Sequence, residues 1–119
     1  MENDRIQWIE YKGKEILYCD YRDLDENGIA ELIKQIEQTI ISSGKKNILK
    51  INDIRGLFVM ASILPLLQKT AIKQKPYIGK NAYVGSRGMK KLVDAVNEMT
   101  KIGAKSFDTV EEAKEWMVK

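Results

Sequence analysis

Apolar and polar residues alternate near the start of the chain, which is the spacing of a half-buried β-strand. The alternation covers residues 5–11, and a glycine-containing turn at 12–14 follows it. A second apolar and aromatic run then occupies residues 15–21. Two short strand-like segments joined by a tight turn predict a β-hairpin.

The spacing then changes to that of an amphipathic helix. Asp25 is a typical N-cap, and Gly44 is a typical stop. Between them, apolar residues recur three and four positions apart, on one helical face. These are Ile29, Leu32, Ile33, Ile36 and Ile40.

Three more helices are predicted, separated by short strands at 46–53, 80–85 and 105–107. The first runs over 63–74 from a Ser62 cap, with Pro65 tolerated in its first turn. The second ends before Gly103, and the third begins with the capping box of Thr109 and Glu112. The expected core-facing residues are Met89, Leu92, Val93, Val96 and Met99 in the second helix, and Val110, Ala113, Trp116 and Met117 in the third.

The element order is therefore β-β-α-β-α-β-α-β-α. Strands that alternate with helices imply crossover connections, which make neighbouring strands parallel. We expect an α/β fold: a mixed, mostly parallel sheet with an N-terminal hairpin at one side and four helices. No linker or repeat divides the 119 residues, so the prediction is one domain over residues 1–119.

Composition excludes several kinds of chemistry. The chain has no histidine and one cysteine, Cys19, which rules out the usual zinc sites, Ser-His-Asp and Cys-His catalysis, and an internal disulfide. An acidic neighbour gives Cys19 no activation, so a buried, inert thiol is expected. We predict no enzymatic activity, catalytic residue, metal or cofactor. The acidic first residues do not form a signal peptide, and the apolar run 56–67 is too short to span a bilayer, so a cytoplasmic protein is expected.

Charge is uneven along the chain although the formal net charge is only +3. No acidic residue lies between Asp53 and Asp94. This interval contains Arg55, Lys69, Lys73, Lys75, Lys80, Arg87, Lys90 and Lys91. Such a run either attracts an anionic partner or solvates helix faces whose acidic partners come from elsewhere in the fold. Nucleic-acid binding is disfavoured because few aromatic residues lie among these cations.

Two loops carry the candidate interaction surface. The segment Leu57, Phe58, Val59 and Met60 is apolar where loops are usually polar, so it either folds into the core or contacts a partner or ligand. Ser86 and Arg87 lie at the predicted junction between a strand and the helix that follows it. Backbone N–H groups at such a junction can hold a phosphate or carboxylate. With Arg55 these residues define an apolar and basic patch, expected at the carboxyl ends of the strands.

Three segments resemble the STAS domain family, in particular its SpoIIAA-like (STAS/SEC14-type) branch. Residues 16–21 resemble that branch's second strand, residues 80–85 its "kxAvvG" strand, and residues 107–117 its closing "F-x-x-x-E-E-A-x-x-W-L" helix. The resemblance covers most of the chain. It implies a SpoIIAA-like fold and a regulatory module that works through protein partners.

The resemblance also points to Ser62. In anti-sigma-factor antagonists of the family, a serine at a helix cap is phosphorylated by a partner kinase. Aligning residues 53–62 puts Ser62 at that position, but Ala61 replaces the family's aspartate and Arg55 a small polar residue. Ser62 is therefore either a phospho-acceptor or, as these departures favour, a plain N-cap.

Two functions remain open at this point. The first is a non-enzymatic STAS-like module that binds a protein partner or a second copy of itself through the apolar loop. The second is a binder of a lipid or a small amphipathic anion, with the loop holding the tail and Arg55, Lys80, Arg87 or Lys90 the head. The SEC14-type likeness supports the second by analogy only.

Overall fold

The computed structural model describes residues 4–56, 63–85 and 90–119, without the side chains of Ile63 and Leu92. The strands are β1 (Ile6–Tyr11), β2 (Lys14–Asp20), β3 (Ile48–Asp53), β4 (Ile78–Val84) and β5 (Lys105–Phe107). The helices are α1 (Glu26–Ser43), α2 (Ile63–Gln74), α3 (Lys90–Thr100) and α4 (Val110–Met117), and a 3₁₀ turn (Lys75–Tyr77) precedes β4. None of the helices in these ranges is long and apolar enough to cross a membrane.

The five strands form one sheet in the order β1-β2-β3-β4-β5. The hairpin pair β1–β2 is antiparallel, and the remaining pairs are parallel. The predicted element order and the mixed, mostly parallel sheet with its hairpin at one side are confirmed. Parallel pairing brings the last residues of β2–β5 to the same edge, here called the carboxyl edge. The strands begin at the opposite edge, here called the amino edge.

Helix α1 forms where the sequence pattern predicts it. The Asp25 carboxylate accepts a hydrogen bond from the Gly28 N–H at 2.7 Å, which satisfies a first-turn donor. Gly44 ends the helix at a φ of 68°, a left-handed conformation that costs glycine little. All five stripe residues are buried.

Helix α3 corrects one part of the predicted core. Val93 and Val96 are buried, but Met99 is 60% exposed. Thr100 is buried in its place, and its hydroxyl donates to the Val96 carbonyl at 2.7 Å. On a helix with about 3.6 residues per turn, position 100 lies close to position 93 around the helix axis, whereas position 99 lies well away from it. The core face of α3 therefore continues from Val96 to Thr100 and not to Met99. The helix ends at Thr100 with Lys101 left-handed, so Gly103 is not its immediate cap.

The helices cover the two faces of the sheet unequally. The larger core cluster includes Leu17, Ile29, Ile36 and Tyr83, with contributions from α1, α2 and α3. On the other face, α4 packs Ala113 and Met117 against Ile16, Ile51, Ala82 and Val84. Thr109 caps α4 by accepting from the Glu112 N–H, as the capping box predicts. Val110 and Trp116 are only half-buried.

Candidate functional site: paired Asp-x-Arg motifs at the carboxyl edge

Two adjacent parallel strands end in the same short motif. Strand β2 ends at Asp20 and is followed by Tyr21-Arg22, and β3 ends at Asp53 and is followed by Ile54-Arg55. Asp20 and Asp53 lie opposite each other in the sheet register. The middle residues, Tyr21 and Ile54, are buried. The fold therefore places two aspartate–arginine pairs side by side.

The Asp53 pair has the more buried carboxylate. Its side chain has no exposed surface, and it accepts hydrogen bonds from Arg55 Nε at 2.9 Å and Arg55 Nη2 at 2.7 Å. The Tyr18 hydroxyl donates to the same carboxylate at 2.5 Å. The Arg55 side chain is 43% exposed. Asp53 thus fixes one end of the guanidinium group and leaves its other N–H groups toward solvent.

Asp20 holds Arg22 in the same way. Arg22 Nε and Nη2 each donate to the Asp20 carboxylate at 3.0 Å. The Arg22 side chain is 47% exposed, and its Nε lies 3.8 Å from an Asp53 oxygen. Arg5 adds a third guanidinium group, 3.7 Å from Asp20, and donates to the Arg22 carbonyl at 2.7 Å. The two pairs are therefore parts of one charged cluster.

The cluster changes the titration of its members. Burial alone would raise the pKa of Asp53, but hydrogen bonds from Arg55 and Tyr18 and the charge of Arg55 hold that pKa below its usual value. At Asp20, burial would likewise raise the pKa, but the hydrogen bonds and charge of Arg22 outweigh burial, and the pKa is lowered. Burial and the bond to Asp53 raise the pKa of Tyr18. At neutral pH both carboxylates are charged and Tyr18 is protonated.

Chemically, the cluster is suited to binding rather than to reaction. Tyr18 keeps its proton, so it is not an activated nucleophile. Cys19 is fully buried, and burial raises its pKa to about 11, in agreement with the expected inert thiol. The guanidinium groups of Arg22 and Arg55 retain donors beyond those used by their aspartates, and a carboxylate or phosphate is the natural acceptor.

Of the predicted patch, the structure describes Arg55, which lies at the carboxyl edge directly after Ile54, whose N–H donates to the Val84 carbonyl. Leu57, Phe58, Val59, Met60, Ser62, Ser86 and Arg87 lie outside the described residues. Their grouping with Arg55 stays a prediction.

Where the structure describes it, at residues 54–56, 63–85 and 90–93, the basic interval does not form one positive region. Arg55 pairs with Asp53, Lys73 lies 3.9 Å from Glu37, and Lys90 lies 3.4 Å from Asp94. Lys80 belongs to the first half of β4 and donates to carbonyls of Trp116 and Lys119, so it cannot join Arg55 around one ligand head. Asp53 and Asp94 are local partners at the two ends of the interval, whereas Glu37 reaches Lys73 because folding brings α1 against α2.

A groove between α1 and α2 lies over a buried polar chain. Lys50 is 3% exposed and donates to Gln74, Gln74 donates to Thr70, and Thr70 donates to Glu37. Burial lowers the pKa of Lys50. The groove has a volume of about 280 Å³, and an adjoining hollow has about 150 Å³. The lining includes Ile40, Ile41 and Tyr77 in the first and Lys34 and Lys69 in the second, and Glu37 and Lys73 line both.

Comparisons with known proteins identify the fold. No family model matches the chain, and no curated protein matches it. The structure is similar to a crystal structure described as an uncharacterized protein from the DUF3478 family with a SpoIIAA-like fold, from Shewanella loihica PV-4. The TM-score is 0.70 at 18% identity, over 94% of this chain and 91% of the other. The chain has a SpoIIAA-like fold.

The predicted STAS/SpoIIAA-like architecture is thus confirmed at the level of fold. Within the SpoIIAA-like sheet, sequence reasoning assigned Arg55 to a candidate surface but missed Tyr18, Asp20, Arg22 and Asp53. A signal was present, because the spacing Asp-x-Arg occurs directly after two apolar strands. Only the pairing of β2 with β3 shows that the two motifs are neighbours.

Proposed function

We propose that this protein is a non-enzymatic, cytoplasmic interaction module that binds a protein partner through the carboxyl edge of its sheet. The observation that carries the proposal is the pair of arginines, Arg22 and Arg55, held by aspartates and still 47% and 43% exposed. A positioned guanidinium group loses little freedom on binding, which favours affinity for a partner's carboxylate or phosphate. A SpoIIAA-like fold supports a regulatory module by analogy.

The absence of activity is part of the same proposal. Its support lies in the sequence, which lacks histidine, and in the raised pKa values of Cys19 and Tyr18. The purified protein is expected to turn over no generic ester, phosphate or peptide substrate. Turnover that a single carboxylate or serine substitution abolishes would contradict the proposal.

Site-specific crosslinking in the source cells tests the binding edge. A photoreactive residue at Glu26 probes the carboxyl edge, and one at Lys46 is the matched control at the amino edge, since both positions are exposed. We expect a discrete protein adduct, or a dimer of this chain, from position 26 and not from position 46. Adducts from position 46 alone, or from neither position, would refute the proposed edge.

Binding by the purified partner then tests the arginines. We expect Arg22→Gln to weaken binding at least about tenfold, a loss that corresponds to one charge-assisted hydrogen bond. Lys34→Gln has the same change in net charge on the exposed face of α1 and should leave binding unchanged. Equal losses in both variants would assign the effect to net charge and not to this site.

A small amphipathic anion is a second candidate ligand, and the α1–α2 groove favours it. Glu37 and Lys73 line both of its hollows; one has the apolar side chains of Ile40 and Ile41, and the other adds Lys34 and Lys69. Lys34 and Lys69 have no carboxylate partner in the part of the chain that the structure describes. Native mass spectrometry of protein purified from cells should show a small-molecule adduct, and Lys69→Glu should remove it. A mass equal to the bare chain or its oligomer would refute this second function.

A further inference from the structure

The lysines of this protein are concentrated at the amino edge of the sheet. Ten of the sixteen lysines lie there, in loops and turns, in the first residues of strands, in the second half of α4 and after it. They are Lys12, Lys14, Lys45, Lys46, Lys75, Lys80, Lys101, Lys105, Lys114 and Lys119. Four glutamates, at positions 10, 15, 98 and 115, lie in the same region, so the edge has a clear positive excess.

The opposite edge is acidic for a local reason. Helices α1 and α4 begin there with acidic residues in their first turns, which capping and the helix dipole favour. Helices α2 and α3 begin at the same edge without an acidic residue in the first turn, and Asp20 and Asp53 are the last residues of strands. Nine carboxylates lie at that edge against five described basic residues. These carboxylates are Asp4, Asp20, Asp23, Asp25, Glu26, Asp53, Asp108, Glu111 and Glu112. The modest net charge therefore hides a molecule that is positive at one end and negative at the other.

The exposed apolar side chains lie at the same end as the lysines. Among the described residues, the large hydrophobic side chains that are exposed are Ile41 at 62%, Ile72 at 51% and Met99 at 60%. Each lies in the last turn of a different helix: Ile41 in α1, Ile72 in α2 and Met99 in α3. Since these helices all end toward the amino edge, three apolar side chains border the lysine-rich surface. Exposed apolar side chains beside a charged surface are typical of an interaction site.

Aromatic rings complete this surface. Lys45 Nζ lies 4.1 Å from the ring centre of Trp8, Lys12 and Lys114 lie over Tyr11, and Lys80 and Lys105 lie over Trp116. All three rings are half-buried. Lysine ammonium groups over aromatic rings are stabilised by cation–π attraction. Because these ammonium groups lie over the ring faces, the rings are poorly placed to stack on nucleic-acid bases.

From these features we infer that the amino edge is a docking surface for an anionic lipid bilayer. This surface goes beyond the proposed partner function, whose site lies at the opposite, carboxyl edge. The lysine charges attract the negative membrane surface, and half-buried Trp and Tyr side chains suit the headgroup region. The exposed side chains of Ile41, Ile72 and Met99 would enter the boundary between headgroups and acyl chains. The described arginines all lie at the carboxyl edge. The described positive charges of the amino edge are therefore lysine ammonium groups and not guanidinium groups, whose planar geometry suits bidentate binding of a single phosphate. The acidic edge orients the molecule by facing away.

Vesicle binding tests the inference on the intact protein. Trp8 and Trp116 are the two tryptophans of the chain, and both belong to the surface, so their emission reports contact directly. We expect a blue shift and co-sedimentation with vesicles of phosphatidylcholine and phosphatidylglycerol in equal parts. Vesicles of phosphatidylcholine alone should not bind, and about 1 M salt, where the Debye length is about 3 Å, should release the protein.

A pair of matched triple variants locates the surface. Lys46→Gln, Lys75→Gln and Lys101→Gln neutralise three amino-edge lysines that have no side-chain partner among the described residues. At about 1 kcal/mol per lysine, the partition coefficient should fall at least about 100-fold. Gln7→Glu, Asn27→Asp and Lys91→Gln give the same change in net charge at exposed positions away from both the amino edge and the α1–α2 groove, and should retain binding. The double variant Ile41→Gln and Met99→Gln should weaken binding without changing its salt dependence.

The outcomes separate the possible partners. Loss of binding in the edge variant alone supports a membrane surface at the amino edge. Equal loss in both triple variants, equal binding to neutral vesicles, or no vesicle binding would overturn the inference. Tighter binding to duplex DNA or single-stranded RNA than to the vesicles, lost in the edge variant and unaffected by the Ile41 and Met99 substitutions, would overturn it in favour of nucleic acid. A carboxyl-edge protein partner could still be found in each of these cases.

Discussion

Replacing Arg55 by alanine tests the physical account of the paired motifs. The substitution removes two hydrogen bonds, at 2.9 and 2.7 Å, from a carboxylate with no exposed surface. Hydrogen bonds to charged groups contribute about 1.5–3 kcal/mol, and an unpaired buried carboxylate costs more than an exposed one. Because the Arg55 side chain is 43% exposed, solvent screens part of its charge. We expect the free energy of unfolding to fall by about 2–3 kcal/mol at neutral pH.

The pH dependence of this loss gives a second measurement. Asp53 has a lowered pKa in the folded protein, so its contribution to stability is present above its unfolded pKa of about 3.9 and is lost as the pH falls through the folded value. Urea unfolding followed by circular dichroism should therefore show the difference between wild type and Arg55→Ala shrinking from pH 5 to about pH 2.5.

Arg22→Ala is the control for the same motif. Asp20 is partly exposed and keeps Arg5 as a neighbour, so the loss should be clearly smaller than for Arg55→Ala. Equal losses in the two variants would show that burial of Asp53 does not decide the energy. A loss for Arg55→Ala that persists unchanged in acid would show that the ion pair is not its source.

Three further predictions concern the core and the amino edge. Ile36→Ala, at a fully buried position, should lower the free energy of unfolding by about 2–4 kcal/mol, and a loss below about half a kcal/mol would contradict the assigned helix face. Gly79→Ala should cost about 1–3 kcal/mol in the same assay, because the added Cβ would lie 2.9 Å from the Asn47 carbonyl oxygen; a neutral result would show that β3 and β4 separate easily there. The folded protein lowers the pKa of Lys50, so between neutral pH and pH 10 the unfolded state binds more protons and wild type should gain stability relative to Lys50→Met; a constant difference would refute the burial argument.

The sequence alone was sufficient for the elements and most of the core. Helix α1 illustrates this, because its cap at Asp25, its apolar stripe and its stop at Gly44 all act within a few residues of one another. The same holds for the Thr109–Glu112 capping box. The strand–helix alternation also determined the fold class, since crossover connections impose parallel pairing.

What only the tertiary structure decided depends on residues far apart in the chain. Asp20 and Asp53 are 33 positions apart, and their side-by-side placement requires the β2–β3 register. In the sequence, Lys73 of the basic interval has no acidic residue near it. Its neighbour in space, Glu37, precedes Lys73 by more than thirty residues. Met99 is exposed because the face of α3 that packs against the sheet contains Val93, Val96 and Thr100, and helical spacing places position 99 off that face. Acidic residues at helix starts and lysines after helix ends reflect local preferences. The parallel strands and the helices that connect them bring these residues together at two oppositely charged edges.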